Sequence, residues 1–592
     1  MVLESTNAPS WVLQAMMLVV ALGYIASIII AWAYELTPEG IKRERDVTHG
    51  DSVTHETGLK LNRITMGFLV VAVAFFAFDK YMLNAGHRPN PLKQAMMEPV
   101  PSGKRETATG SVNTEPPPET VSKRPSIAVL PFVNMSDDKD YFADGLSEEI
   151  LNLLAKNRKL KVIGRTSSFA FKGRAGDLRE IGKTLGVSTV LEGSVRKAGD
   201  TIRITAQLIE VAEGSHLWSE TYDRELTDVF AIQDEVAAAI FDALQLHLGD
   251  TAVATRGRPT DNMLAYEKFL TAKALSLSGQ GMRALESLQD VVALDPTFAE
   301  AWEALSVSYW FSNLSVMDAM AGCFSSATRA RELDSTRVLA VALAVSCDTE
   351  NWSWLREIAA LEVAVQQLPD ETQALLPLIF NYVEAGYAAE ALLLTERLVV
   401  IEPLAAVSHK SHGSALRAAG RVDEARAAWQ RSVELGDALS AQNLFMDYMI
   451  TGEIDAAIVA LERSLRMSGE DPTGVGDRIR AAADPVSGHQ ALLDWVATFP
   501  EGDFWNGTNW VYLLAFRQFD DLFDVIDAHN ARATDWSDAD EIMYYVSIFR
   551  DSGVTASPRY AAAINAIGAV DAWETRGPPD FCRKDTGEWV CD

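Results

Sequence analysis

The sequence has few cysteines and few basic residues for its length, and both shortages limit what the protein can be. Four cysteines among 592 residues are too few for a disulfide scaffold, and no two of them form a Cys-x-x-Cys pair. Its 52 lysines and arginines are outnumbered by 82 aspartates and glutamates, which gives a formal net charge of −30. This balance disfavours nucleic acid as a partner and favours basic or neutral proteins.

Recognisable catalytic motifs are absent too. The sequence has no nucleophile elbow and no glycine-rich dinucleotide motif. The closest pair among nine histidines, His409 and His412, lacks the further ligands of a known metal site. The stretch 176–184 imitates a phosphate-binding loop, but five residues instead of four separate its glycines. We therefore expect no enzyme activity, no cofactor and no metal, and we keep an enzyme as the rival hypothesis.

Two long apolar runs lie near the start of the chain. In residues 11–34 the only strongly polar side chain is Gln14, and residues 64–83 form a second, shorter run. Such lengths suit transmembrane helices, so we predict a transmembrane hairpin over residues 1–83 with a loop at 35–63. The alternative for the second run is a buried core helix.

Charge sets the expected orientation of this hairpin. The loop 35–63 carries five lysines and arginines and the first ten residues carry none, so the loop is expected in the cytoplasm and the bulk of the chain across the membrane. The reverse orientation stays open, because Lys80, Arg88 and Lys93 follow the second run. Residues 84–124 are rich in Pro, Thr, Ser and Glu, which predicts a flexible linker.

A small α+β domain is predicted for residues 125–250. Strict alternation of apolar and polar residues over 201–209 indicates a strand with one dry face, which can pair with 190–196 across a short turn. Further strands are predicted at 126–132, 161–163 and 216–222, with helices between and after them.

Several strings in this region resemble the TolB amino-terminal-type domain, also called the FlgO-type domain. They include SIAVLPFVNMS, YFADGLSEEI, RTSSFAFKG, LEGSVRKAG, RITAQLI, HLWSETYDR and AIQDEVA. The resemblance implies a bacterial membrane protein with helical repeats, in which this domain is a non-catalytic interaction module on the periplasmic side. It therefore implies the inner membrane as the location, with the bulk of the chain in the periplasm.

Internal repeats indicate an all-α array over residues 262–470. Glycines recur at a step of 34 residues and then of 32, close to the period of tetratricopeptide repeats, and an alanine follows each by five residues. Such units stack into a solenoid with a concave groove. The signature positions are Ala284, Pro296, Trp302, Tyr309, Pro369, Tyr382, Gly386, Ala391, Pro403, Gly420, Ala425, Gly452 and Ala457.

The period fades over residues 471–592, where degenerate repeats or a helical cap both fit. Cys582 and Cys591 near the end are a disulfide candidate, with two free buried thiols as the alternative. Cys323 and Cys347 are expected in the core of the repeats, and their bonding is left open.

These features favour a membrane-anchored scaffold whose groove binds a protein or peptide. The net charge favours a basic or neutral partner, so we expect the association to weaken as salt rises. The alternative function is transmembrane signalling through the cytoplasmic loop. The sequence leaves the partner's identity and the oligomeric state open.

Overall fold

A computed structural model describes residues 34–37, 40–43, 124–136, 142–174, 176–225, 228–244, 259–277, 280–310, 312, 314–496, 509–524, 546–566, 568–579, 581–585 and 588–591. The chain divides into two compact units, Met1–Glu119 and Thr120–Asp592. In the first unit the described residues form an antiparallel hairpin of β1 (Tyr34–Thr37) and β2 (Gly40–Arg43).

The predicted fold class is wrong in one part, the two-helix transmembrane hairpin. Across the described ranges, no helix is both long and apolar enough to span a membrane. Tyr34, expected to end the first membrane helix, instead begins a strand that is hydrogen-bonded to β2. The other residues of the two predicted spans, 11–33 and 64–83, lie outside the described residues.

The second unit begins with an α/β module, residues 124–244. Its strands are β3 (Ser126–Val129), β4 (Val133–Asn134), β5 (Lys161–Val162), β6 (Thr189–Ala198), β7 (Thr201–Glu210) and β8 (His216–Glu225). Its helices are α1 (Phe142–Ala155), α2 (Arg165–Phe169), α3 (Leu178–Leu185) and α4 (Val229–Ala243).

These strands form one mixed sheet in the order β5-β3-β6-β7-β8, with β4 also paired to β6. β3 runs parallel to both its neighbours, whereas β6, β7 and β8 are antiparallel. On β7 the apolar residues Ile202, Ile204, Ala206 and Leu208 are 0–1 % exposed and alternate with wetter positions. The alternation visible in the sequence therefore places one face of the sheet against α1 and α4.

Helix pairs follow along the chain and form the repeat array. Its helices are α5 (Met263–Leu277), α6 (Gly281–Leu294), α7 (Ala299–Trp310), α8 (Val316–Leu333), α9 (Val338–Ser346), α10 (Trp354–Gln367), α11 (Thr372–Glu384), α12 (Ala388–Ile401), α13 (Ala406–Ala418), α14 (Val422–Glu434), α15 (Ala438–Thr451), α16 (Ile454–Ser468), α17 (Val475–Ala482), α18 (Gly488–Val496) and α19 (Asn509–Ala515). Pairing thus continues beyond residue 470, where the sequence period fades.

Successive pairs repeat the same contacts. Ser432 Oγ donates to Ala406 O at 2.8 Å, and Ser464 Oγ donates to Ala438 O at 2.9 Å in the next pair. Each bond joins the second helix of a pair to the start of the first helix of the same pair. The recurrence of one buried polar contact shows that the two units are structurally equivalent.

Two disulfides lie in the second unit. Cys323 on α8 is bonded to Cys347 directly after α9, so this bridge joins neighbouring helix pairs. α8 is also longer than its neighbours, with 18 residues compared with 12–15 in α5, α6 and α7.

The chain ends in the C-terminal segment, residues 546–591. It contains two 3₁₀ turns, α20 (Pro558–Ala566), α21 (Ala569–Arg576), and an antiparallel hairpin of β9 (Cys582–Asp585) and β10 (Glu588–Cys591). The second disulfide, Cys582–Cys591, joins directly opposite residues of this hairpin.

Candidate binding surface on the inner helices

Each helix pair of the array folds back through a turn after its first helix. Gly386, Gly420 and Gly452 occupy three of these turns with φ of 85°, 79° and 85°, a left-handed conformation that favours glycine. The alanines that follow the turn positions by five residues are 0 % exposed, which lets the paired helices approach closely. They are Ala284, Ala391, Ala425 and Ala457.

Two aromatic signature residues connect the early helices. Trp302 Nε1 donates to Pro296 O at 3.1 Å, which fixes the loop before α7. Tyr309 OH accepts a hydrogen bond from Gln289 Nε2 at 2.9 Å, and its ring packs closely against Gly322 on α8. Both aromatic residues therefore contribute to the packing of the early helices.

Later signature residues have the same structural role. Tyr382 OH donates to Glu362 Oε1 at 2.6 Å, which joins α11 to α10. Pro369 and Pro403 lie in the loops after α10 and α12, where proline prevents the helix from continuing. Pro403 O contacts His409 Nε2 at 2.9 Å.

Three successive first helices, α11, α13 and α15, present equivalent positions on one side. These positions lie 13, 10 and 6 residues before the turn glycine, so they recur at i, i+3 and i+7 and share one helix face. Phe380 is 40 % exposed and Leu439 is 47 % exposed, whereas Ser414 and Met446 at the third position are buried. The exposed and half-buried members form what we name the inner face: Gln373, Leu376, Phe380, Val407, Lys410, Leu439 and Gln442.

A buried ionic cluster ties together the helices that carry this face. Arg417 Nε donates to Asp447 Oδ1 at 2.5 Å, and the two side chains are 1 % and 0 % exposed. Arg426 donates to the other carboxylate oxygen of Asp447. Removing Asp447 would take away the carboxylate that both arginines contact, so the cluster fixes α13, α14 and α15 relative to one another.

The α/β module contacts the array at loops that precede α11 and α13. Glu402, directly after α12, accepts hydrogen bonds from Ser167 N and Ser167 Oγ, both at 2.7 Å, and from Thr166 N at 3.0 Å. Arg158 Nη2 donates to Gln366 O at 2.9 Å. Burial raises the pKa of the Glu402 carboxyl above its ordinary value. The module therefore borders the inner face on the side where α11 and α13 begin.

A second polar junction joins the module to the first helix of the array. Lys273 Nζ on α5 lies 3.1 Å from Glu148 Oε1 and 2.6 Å from Glu149 Oε1, both on α1. Arg165 Nη1 contacts Glu148 Oε2 at 2.9 Å. Burial alone would lower the pKa of Lys273, but the charges of the two glutamates outweigh burial and raise it. Lys273 is therefore a buried cation that holds the two parts together.

The C-terminal segment borders the opposite side of the inner face, where the first helices end. Ser547 Oγ donates to Glu384 O at 2.9 Å, and Trp573 Nε1 donates to Ala385 O at 3.0 Å. The Phe549 ring lies 5.4 Å from the guanidinium carbon of Arg417. The C-terminal segment therefore contacts the carboxyl ends of both α11 and α13.

The two histidines considered from the sequence take part in internal contacts. His412 Nδ1 lies 3.0 Å from Thr395 Oγ1, and His409 Nε2 contacts Pro403 O. Burial lowers the pKa of both histidines. Among the described residues no group of three or more His, Cys, Asp or Glu side chains is placed to hold a metal ion.

Comparison with known proteins gives one curated relative and several solved structures. No protein-family model matches the chain. The putative adenylate cyclase 3 of Rhizobium meliloti (strain 1021) is 44 % identical over 205 residues, which cover 33 % of this chain and 34 % of that protein. The chain thus spans about a third of the relative's length.

Two solved structures are similar to parts of this chain. TolB from Acinetobacter baumannii is 20 % identical over 21 % of this chain and 28 % of its own, with a TM-score of 0.17. YrrB, described as a TPR protein with an unusual peptide-binding site, is 16 % identical over 29 % of this chain and 86 % of its own, with a TM-score of 0.21. The helix pairs, turn glycines and buried alanines recur along the array. The array is a helical solenoid whose sequence period is close to that of tetratricopeptide repeats.

The sequence signature marks the core of the array and omits its exposed side. None of the inner-face residues belongs to the signature. Phe380 only shares the helix α11 with the signature residue Tyr382. Counting back 13 and 10 residues from each turn glycine would have found six of the seven inner-face residues, whereas the position 6 residues before the glycine is exposed only at Phe380. No pattern in the sequence predicts that the α/β module and the C-terminal segment border the two ends of that face.

Proposed function

We propose that the chain is a non-catalytic scaffold that binds a protein or peptide segment on the inner face. The observation that carries the proposal is the recurrence of exposed or half-buried side chains, most of them apolar or amide, at two equivalent positions of three consecutive first helices. Repeat arrays use such extended surfaces for recognition. The α/β module and the C-terminal segment border this face at its two ends.

The chemistry of the inner face defines the class of partner. Leu376, Phe380, Val407 and Leu439 supply apolar contacts, while the amides of Gln373 and Gln442 can donate to and accept from a peptide backbone. The face has one cation, Lys410, and no carboxylate. The preference for a basic partner, inferred from the net charge of −30, therefore has no support from these side chains. The face fits an apolar segment with little charge.

We also propose that the array works in an oxidising compartment, with the periplasm as the candidate. The support is the pair of disulfides, Cys323–Cys347 and Cys582–Cys591, because thiols in the cytosol are generally kept reduced. Peptide mapping without reduction, on protein isolated from its native cells, should recover both linkages. Free thiols at these four positions would remove this part of the proposal.

The binding proposal is tested by a charge placed on the inner face. Leu439→Glu should abolish partner recovery when the tagged full chain is used to capture proteins from an envelope extract, because a carboxylate would be desolvated in the contact. The matched control is Leu393→Glu, since Leu393 is 70 % exposed on α12, a second helix of the array. Circular dichroism and the unfolding temperature establish that both variants fold.

A protein recovered by the wild-type chain and by Leu393→Glu, but lost with Leu439→Glu, supports the proposal. Equal recovery by all three proteins would show that the inner face is not the binding surface. The salt-sensitive association expected from the net charge does not follow for this face: recovery should change little between about 50 and 300 mM salt, because apolar contacts are not screened by ions.

A further inference from the structure

The last strand of the mixed sheet, β8, is an edge strand. It runs for ten residues, His216–Glu225, and eight of them are exposed. Among the described residues its only strand partner is β7. An edge strand presents a row of backbone N–H and C=O groups that can pair with another strand.

Contacts with β7 keep most of this edge regular. The only irregularity in the pairing lies between Leu208 and Ile209, opposite the start of β8, and the register is uninterrupted from Trp218 onward. Arg203 Nε donates to Asp223 Oδ1 at 2.6 Å, and the hydroxyls of Thr205 and Thr221 are 3.1 Å apart. These contacts hold the second half of β8 in an extended conformation, in which its other edge can pair with a further strand.

The charges on this half of β8 are self-complementary in one antiparallel register. If Tyr222 lies on a two-fold axis, Glu220 faces Arg224 of a second copy, and the symmetry repeats this pair. Because opposite residues of a pleated pair point to the same face, the nearest alternative symmetric registers place the axis at Thr221 or at Asp223. The first loses the pair between Glu220 and Arg224, and the second also places the two copies of Asp223 directly opposite each other. The charges of the strand thus favour the register centred on Tyr222.

We propose that β8 pairs with β8 of a second copy of this chain, so that two molecules form a dimer with one continuous sheet. The interface is isologous, because each residue contacts the symmetry-related position in the other copy. Burying a few strand residues on each side gives a small interface, so dimerisation should depend on protein concentration in the micromolar range. The proposal is independent of the inner face, which lies on the array.

The test uses the charge pair on the full chain. Sedimentation velocity over about 1 to 200 µM should show a reversible dimer for the wild-type protein. Glu220→Arg and Arg224→Glu should each raise the dissociation constant by about tenfold or more, because each places two like-charge pairs across the axis. The matched control, Glu434→Arg, alters an exposed helix residue far along the sequence and should leave dimerisation unchanged.

Mixing the two variants gives the decisive measurement. In a heterodimer of Glu220→Arg with Arg224→Glu, both facing pairs again have opposite charges, so the equimolar mixture should regain the wild-type dissociation constant. The double variant Glu220→Arg/Arg224→Glu should also dimerise and provides a second measurement if one single variant fails to fold. A wild-type chain that stays monomeric over the whole range overturns the proposal. So does a dimer that tolerates both single variants, or a mixture of folded variants that does not associate.

Discussion

At the residue scale, Arg517 occupies the position that glycine takes in other turns of the array. Its φ is 58°, and it is the only non-glycine residue with positive φ in the described part of the chain. Arg517 follows α19 as Gly452 follows α15, and its side chain donates from Nη2 to Ile450 O at 3.0 Å. The side chain thus contributes a contact at a backbone conformation that costs on the order of 1 kcal/mol for a residue with a Cβ.

This conformation predicts an inverted order of stability for two variants. Arg517→Gly should be more stable than Arg517→Ala by about 1 kcal/mol, although alanine usually exceeds glycine by a similar amount within a helix. Both variants lose the hydrogen bond to Ile450 O, so the difference between them measures the cost of the left-handed backbone conformation. Urea unfolding of the full chain measures the difference. The reverse order would mean that the turn is not left-handed at this position.

At the element scale, the sequence predicts elements better than contacts between them. Helix pairs are predictable because the glycine and alanine of each pair lie within a few residues of each other. The strand β7 is predictable because its alternation is local. The bond between Ser167 and Glu402 joins residues 235 positions apart, and no local pattern encodes it. The inner face could be located from the repeat, but its borders depend on such distant contacts.

The error in the first unit has a different origin, because the hairpin that contains Tyr34 is local. An apolar run indicates burial, but the run alone does not tell a membrane helix from other buried structure. The end of the first predicted helix at Tyr34 belongs to a hairpin with β2. Cysteine spacing does not predict the disulfide Cys323–Cys347 either, because the contact depends on how α8 and α9 pack.

The junction between α2 and the loop after α12 predicts a dependence of stability on pH. A buried carboxyl whose pKa is raised in the folded chain adds stability below its unfolded-state pKa and loses it as pH rises through the folded-state pKa. The stability of the wild-type chain relative to Glu402→Gln should therefore increase as pH falls from about 7 to about 5. Thermal unfolding of both proteins at each pH measures this difference.

The comparison with a variant is needed because other groups titrate in the same range. The lowered pKa values of His409 and His412 act with the opposite sign, but both proteins retain these histidines. Glu424→Gln is the control, since a hydrogen bond from exposed Arg421 lowers the pKa of Glu424 and moves its titration to more acid pH. A Glu402→Gln difference as flat as that of Glu424→Gln would contradict the buried junction.

At the scale of the whole molecule, the α/β module and the start of the array share one hydrophobic core. This cluster includes Leu146 and Ile150 on α1 together with Phe269 and Leu270 on α5. An ideal Cβ at Gly145 would lie 2.6 Å from Leu270 Cβ and 2.9 Å from its Cα. The two helices therefore touch at backbone distance, and the array begins inside the core of the module. We infer that the two parts unfold together.

Gly145→Ala tests this inference. Replacing glycine by alanine within a helix normally stabilises by about 1 kcal/mol, but here the added methyl meets the backbone of α5, so we expect destabilisation by about 1–3 kcal/mol. Hydrogen exchange should become faster in both α1 and α5. Gly281→Ala at the start of α6 is the matched control, because nothing lies within 4 Å of the added methyl and stability should hold or rise. Faster exchange confined to α1 would show that the module and the array fold separately, and loss of protection in both would show that they form one cooperative body.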